Sequence, residues 1–491
     1  MSNNIKKEGE KMTFIKRLFD TNRYCKESEK QGTIPGFFRI SKDVMKIVWA
    51  SMIESFLVSL VTLFDGIQVA DISNEANTAV TICKQPFFIL VCLSVSLNIC
   101  ISAIVARRKG QKDIEGANKT VHVGIFMAIC MSITLSIVAL LNAENLCLLM
   151  KAEEDTLPLA KTYFSILCLG FPFMALSNAF NACQKGIGKT HISMIANIIA
   201  NLVNISLNYI LITGRFGFPE MGIAGAALAT IIGYFVGFSI SLVAILLQND
   251  YIKFRLSRLF KWSVDTYKAF FKIWPAIIVE QILMRIGFIL FAIIVNGLGT
   301  ADTYIQGVTN DINSLLFTLS DGFSVGIAAI VGHKLGEKRI DLAIVYAKVA
   351  MILSVTCGIL MCVIMILLRK QIISLYKPDS DYKMITASNC LLIAAASCVF
   401  QNIQWVNTGI LRSAGDSKFT ATTSLLSVTI IRPIVSYIFI YLLFTHINDE
   451  GEVIKGLGVY GAWVAQFIDQ GLRMTFNLLR FKSRKWTKIK V

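Results

Sequence analysis

Apolar stretches of about 20 residues, each long enough to cross a hydrocarbon core of about 30 Å, recur along the chain. They begin near Val44, Ala79, Val121, Thr162, Ile192, Gly222, Phe270, Thr303, Val345, Met384, Phe419 and Leu457. Most contain Gly or Ser at intervals, as packed membrane helices do. The pattern predicts an all-α integral membrane protein of twelve transmembrane helices. A polar segment, 1–43, precedes them, a polar stretch, 251–269, separates residues 44–250 from 270–480, and 481–491 form a tail.

The two long blocks repeat each other. In "ISAIVARRKGQKDIEGA" (101–117) and "IAAIVGHKLGEKRIDLA" (327–343), Ile101, Ala103, Ile104, Val105, Gly110, Lys112, Ile114 and Ala117 recur 226 residues on. "QKGIGKT" (184–190) stands opposite "LRSAGDS" (411–417) at an offset of 227, and "GIAGAALAT" (222–230) opposite "GVYGAWVAQ" (458–466) at 236. With six helices per half both halves enter from the same side, giving parallel repeats of the kind that hold a site between two lobes. The linker, beginning "YIKFRLSRLFKW", is expected to be an amphipathic helix on the inner surface.

Polar residues inside the apolar runs fall on stripes. Asn197, Asn201, Asn204 and Asn208 are spaced four, three and four apart, one face of a helix at 3.6 residues per turn. Four amides cannot all face lipid, so this face is expected to wall a cavity. In the first run Glu54 and Asp65 share a face; a carboxylate among Leu63, Phe64 and Ile67 is costly in hydrocarbon and marks a functional candidate. By the repeat offset Glu54 falls opposite Glu280, and Asp65 opposite Phe291. The eighth run carries Gln306, Asn310, Asn313 and Asp321 near one face, with Asp311 beside it. Asp469 and Arg473 form an i, i+4 pair, and Lys84, Arg285 and Arg432 lie in or near spans without an assigned role.

Composition agrees with a membrane protein: 55% of residues are hydrophobic, 16% are charged and mean hydropathy is +0.62. The formal charge of +16 is concentrated in the N-terminal segment, the even-numbered loops (Arg107, Arg108, Lys185, Lys189, Lys253, Lys334) and the tail. The positive-inside rule then puts both termini in the cytoplasm of a plasma-membrane protein, with the basic residues facing anionic lipid. No soluble domain remains to hold nucleic acid. The first forty residues lack the apolar core of a signal peptide, so none is expected. Twelve scattered cysteines without a CxxC pair predict neither disulfides nor a metal framework. "GIGKT" (186–190) lacks the first glycine of a phosphate-binding loop, since position 183 is Cys, and an apolar run precedes it. No enzymatic constellation is present, and the four histidines lie far apart.

The stretch from "QKGIGKT" through "ANIIANLVNISLN" to "GIAGAALAT", with "GILRSAGDSKFTAT" (409–422), resembles the multidrug and toxic compound extrusion (MATE) family. In that family each half has an LRxxGD-type turn, a helix with N-x-x-x-[ND], and a GxxGAAxAT helix start. "FDGIQVAD" is similar to the stretch carrying the family's coupling aspartate. The resemblance implies that Asp65 binds a proton or Na+ together with Asn178, Asn204, Asn208 and Thr230. The sequence departs from it at Asn208, where an archaeal branch has a second aspartate, and at Ala50, where a kinking proline is usual. Leu283 and Gln401 stand where the norfloxacin-exporter branch has a Glu and an Asp, which makes Glu280, three residues earlier, a candidate substitute.

The expected function is secondary-active export of small, cationic or amphipathic compounds, with no cofactor beyond H+ or Na+. Either ion would neutralise one carboxylate, and Asp65, Asn204, Asn208 and Thr230 offer the hard oxygen shell that Na+ requires. Glu54, Asn197, Asn201, Glu280, Gln306, Asn310 and Asp311 are cavity candidates. A monomer is expected. The alternatives are a flippase for a lipid-linked saccharide, for which a larger and more cationic cavity would speak, and a membrane sensor, for which no signalling domain is visible.

Overall fold

The computed structural model describes residues 19–70, 74–150, 156–248, 251–259, 263–376, 378, 380–447 and 453–489. Side chains of 61–70, 74, 75, 77, 81, 300, 316, 446, 447, 453 and 454 lie outside the description. The long helices are α1 (Phe37–Ala70), α2 (Asn74–Gly110), α3 (Ile114–Leu141), α5 (Leu157–Gly186), α6 (Thr190–Leu211) and α7 (Gly222–Leu247) in the first half, with a short α4 (Ala143–Leu149) between α3 and α5. In the second half they are α8 (Val264–Asn296), α9 (Thr300–Gly336), α10 (Ile340–Ser374), α11 (Asp381–Ser413), α12 (Ser417–Tyr441) and α13 (Val459–Lys482). Among the described residues ten helices, α2, α3 and α5–α12, are long and apolar enough to cross a membrane. The sequence reading counts α1 and α13 as well; they are 34 and 24 residues long. A two-stranded hairpin, β1 (Thr445–Ile447) and β2 (Val453–Lys455), joins α12 to α13.

In hydrocarbon every backbone polar group needs an internal partner. Pro172, inside α5, leaves the carbonyl four residues earlier without its usual donor. That carbonyl, of Cys168, accepts from Ser136 Oγ of α3 at 2.6 Å. A proline kink is thereby satisfied by the neighbouring helix. The twelve cysteines are all free thiols.

Two segments outside the apolar runs take a form the periodicity does not show. The first long helix starts at Phe37, ahead of Val44, because 37–48 form a buried stripe (Phe37, Ile40, Val44, Val48) against α9 and α10. The residues before it hold to the second half: Gln31 N donates to Asp341 Oδ2 at 3.1 Å, and Lys348 Nζ to the Tyr24 carbonyl at 2.8 Å. Burial beside Glu29 pushes the Cys25 thiol in this segment up to about 11. Of the linker expected as a helix, 264–269 do belong to α8, whereas 252–255 instead run extended, with one 3₁₀ turn at Leu256–Arg258. Side chains of α3 take its backbone: Lys253 N donates to Asn118 Oδ1 at 2.6 Å, and Asn118 Nδ2 to the Tyr251 carbonyl at 3.2 Å. Ile252 and Phe254 point into the core of the first half. A period of two wins where those side-chain partners replace helical hydrogen bonds.

The halves close on each other at the end that carries Arg107 and His333. A Cβ on Gly110 would collide with the His333 carbonyl, and one on Gly336 with the Arg107 carbonyl, so only glycine lets α2 and α9 cross this closely. His333 Nε2 lies 2.7 Å from the Gly186 carbonyl, and Lys109 Nζ donates to the carbonyl of Ile187. Gly110→Val is expected to hold this end open. In a cysteine-free background, the distance between spin labels at Gln111 and Lys338 should lengthen by several ångström; an unchanged distance refutes the tight crossing.

Candidate functional site

The asparagine stripe of α6 sits where three structural features converge. Its opposite face is apolar and half-exposed (Ile195, Ile199, Leu202), while Ala196 and Ala200 let neighbouring helices approach. Helix α7 answers with Gly233 and Gly237: a Cβ on Gly237 would come within 3.1 Å of the Ala200 Cβ. Small side chains on α7 then leave a cavity of about 550 Å³ between α1, α2, α5, α6 and α7, closed on its far side by α9 and α11.

Asn197, Asn201 and Asn204 line it, as does Glu54 from α1. Asn178 of α5 and Thr230 of α7 complete this polar wall, and Asn204 Nδ2 donates to Thr230 Oγ1 at 3.2 Å. Six of the residues expected from sequence to form the site or its cavity on the first half, Glu54, Asn178, Asn197, Asn201, Asn204 and Thr230, thus meet on one surface. Asn208, one turn further on, is 1% exposed and is not part of the cavity wall. Asp65 lies near the C-terminal end of α1, and its side chain is outside the described residues.

The second half contributes less than expected. Gln306, Asn310, Asp311 and Glu280 are not on this wall. Asn310 and Asp311 are exposed, with Asp311 in the electrostatic reach of Lys84, and Arg285 stacks its guanidinium 4.4 Å from the Phe88 ring centroid. Asp321 does line the cavity, together with Ser324 of the same helix and Arg412 of α11.

Glu54 and Glu280 organise two matching constellations. Glu54 Oε1 accepts from Lys185 Nζ at 2.8 Å, Ser193 Oγ at 2.8 Å and Asn197 Nδ2 at 2.6 Å. Glu280 accepts from Arg412 (Nη2 at 3.1 Å, Nε at 3.3 Å), Thr420 Oγ1 at 2.9 Å and Ser424 Oγ at 3.3 Å. Each member of the second set stands 226 or 227 residues after its counterpart, so the fold repeats the same glutamate-centred junction in both halves. The junctions differ in what they leave over. Both oxygens of Glu280 are engaged and the residue is 1% exposed, whereas Glu54 Oε2 is buried without a hydrogen-bond partner. A carboxylate tied to a guanidinium has its charge balanced within the protein; the first half keeps acceptor capacity at its cavity.

Sequence reasoning missed Lys185, Ser193, Arg412, Thr420 and Ser424. The signal was available: both turns that mark the repeat, "QKGIGKT" and "LRSAGDS", carry a base at matching positions opposite a matching glutamate. The Asp469–Arg473 pair forms as expected, at 2.8 Å.

The chain is 25% identical over 452 residues to "Probable multidrug resistance protein NorM" of Thermotoga maritima, covering 91% of this chain and 94% of that protein. It is 24% identical over 448 residues to "Uncharacterized transporter YisQ" of Bacillus subtilis, covering 90% and 94%. Its fold matches a solved structure described as the outward-facing conformation of a multidrug resistance MATE family transporter of the MOP superfamily, with TM-score 0.82, 20% identity and coverage of 91% and 96%. The sequence profile of the MatE family matches residues 50–210 and 276–438, most of both halves. The chain therefore belongs to the MatE family: it is a multi-pass membrane transporter and not an enzyme.

Proposed function

We propose that this protein is a secondary-active exporter of small cationic or amphipathic compounds, working as a monomer of twelve transmembrane helices in two parallel six-helix lobes. The observation that carries this reading is the cavity walled by Asn178, Asn204 and Thr230 and closed off by the second half. Polar side chains gathered around a cavity at membrane depth, instead of turned to lipid, suit water, an ion or a substrate as its occupant. Asp65, with Asn178, Asn204, Asn208 and Thr230, binds the coupling ion, H+ or Na+. Neutralising one carboxylate changes the relative stability of the two access states, and the lobes rock between them. The names of the curated relatives, multidrug resistance proteins, support xenobiotic substrates.

With both termini in the cytoplasm, the closed end at Gly110 and Gly336 faces the cytoplasm, so the described arrangement is the cytoplasm-closed state of the cycle. A lipid-linked saccharide is disfavoured as cargo, because the two cations of the cavity wall, Lys185 and Arg412, are each bound to a glutamate. Neither is left to receive a pyrophosphate. The test is efflux of a panel of dyes and antibiotics from vesicles, with proton and Na+ gradients imposed separately. Efflux of at least one compound should follow one gradient and stop when that gradient is collapsed. Transport that is indifferent to both gradients rejects ion coupling.

A further inference from the structure

The two halves diverge where the last helix of each meets the helix before it. This inference rests on the two-lobe reading proposed above. At the offset of 236 between α7 and α13, the positions of Thr230, Gly233 and Gly237 are taken by Gln466, Asp469 and Arg473. The first lobe has glycines beside its cavity; the second has buried charge in their place. Asp469, 0% exposed, accepts from Arg473 Nη2 at 2.8 Å and from Ser427 Oγ. Ser427 is 227 residues after Ala200, the residue that Gly233 approaches, so the same pair of positions meets in both lobes.

Helix α12 differs from α6 in one further way. It contains a π turn, Leu425–Ile431. Hydrogen bonds that span five residues instead of four take in one extra residue, and such turns concentrate at functional sites. Beyond the turn the offset from α6 therefore rises from 227 to 228, which sets Arg432 at the place of Asn204. The hydrogen bonds agree. Asn204 Nδ2 donates to Thr230 Oγ1 at 3.2 Å, and Arg432 Nη2 donates to Gln466 Oε1, at the Thr230 position, at 2.7 Å. Phe291 occupies the position that Asp65 holds in the first lobe, and the Arg432 guanidinium carbon stands 4.3 Å from its ring centroid. A cation over an aromatic face is an attractive arrangement in a dry site.

We infer that Arg432 is a tethered cation, filling in the second lobe the position that the exchangeable ion takes in the first. Arg432 is 5% exposed, and its set with Arg473 and Asp469 carries one net positive charge. A further monovalent cation about 5 Å from that guanidinium is disfavoured on the order of a hundredfold at an effective dielectric of about 20. The second lobe accordingly exchanges no ion, and each transport cycle moves one.

The count of bound ions tests this on purified full-length protein in nanodiscs. Two probes serve: radioactive sodium at equilibrium in alkaline buffer, and proton release read by a pH indicator when tetraphenylphosphonium is added. Wild type should bind or release one ion per chain, Asp469→Asn one, and Asp65→Asn none. A wild-type count of two, or a loss of one ion in Asp469→Asn, overturns the inference whatever Asp65 does. A count of one that persists in both variants rejects the Asp65 reading and leaves the tethered cation standing. As a second readout, Arg432→Gln should slow ethidium efflux from vesicles at least about tenfold. Methylguanidinium should restore that efflux and Arg432→Lys should retain most of it, a rescue that a packing role would not give. Wild-type efflux by Arg432→Gln also overturns the inference.

Discussion

Asp65→Asn is expected to reduce gradient-driven efflux to the leak of vesicles without the protein, while leaving the protein folded in the membrane. The substitution keeps the shape of the side chain and removes the charge. An ion can shift an equilibrium between two access states only by its difference in affinity for them. Without the carboxylate that difference disappears, whichever ion is used. The polar wall beside α1 should survive, because the Asn204–Thr230 hydrogen bond does not need Asp65 as donor or acceptor. Equilibrium binding of the substrate, read by dye fluorescence, is therefore expected to persist. Undiminished gradient-driven efflux would refute the assignment, and loss of the protein from the membrane fraction would recast Asp65 as a structural residue.

Glu280→Gln should produce the largest loss of stability among single substitutions at the paired glutamates. It leaves Arg412, whose side chain is 8% exposed, as a buried charge without its carboxylate. Breaking such a pair from one side costs about 3–5 kcal/mol, because the surviving charge remains desolvated. The unfolding midpoint in detergent should fall markedly. The double variant Glu280→Leu, Arg412→Met should recover most of the loss, since a hydrophobic pair of similar volume has no charge to desolvate. Glu54→Gln is expected to cost less: both cations border the cavity, but Lys185 has 22% of its side chain exposed against 8% for Arg412, and is the more readily hydrated. Equal losses at Glu54 and Glu280 would refute the asymmetry between the two junctions.

Much of this architecture is legible in the sequence, and its limits have physical causes. Apolar runs of the right length define helices because bilayer thickness fixes their minimum, and the α6 stripe points to a cavity because amides are costly in lipid. The Glu54–Glu280 correspondence follows from the repeat offset alone. Which way each charge is balanced does not, since Lys185 and Arg412 approach their glutamates from helices more than a hundred residues away. The lean of the cavity toward the first half is set by single side chains, Gly233 and Gly237 against Asp469 and Arg473. The π turn of α12 is invisible to a 3.6-residue period, and without it Arg432 aligns with Ile205 and has no assigned role. The course of 252–255 is hidden for a related reason: the partners of its backbone, Asn118 and His122, belong to another helix.

A fixed arginine in one lobe also sets a thermodynamic ceiling on the work the molecule can do. One elementary charge crossing a membrane potential of about 100 mV releases about 2.3 kcal/mol. At about 1.4 kcal/mol per factor of ten, the potential by itself sustains about a fiftyfold gradient of an uncharged compound, and the ion's own concentration ratio multiplies that only once. A pump limited in this way protects a cell against compounds that re-enter slowly, and is overrun by those that diffuse back as fast as they are expelled.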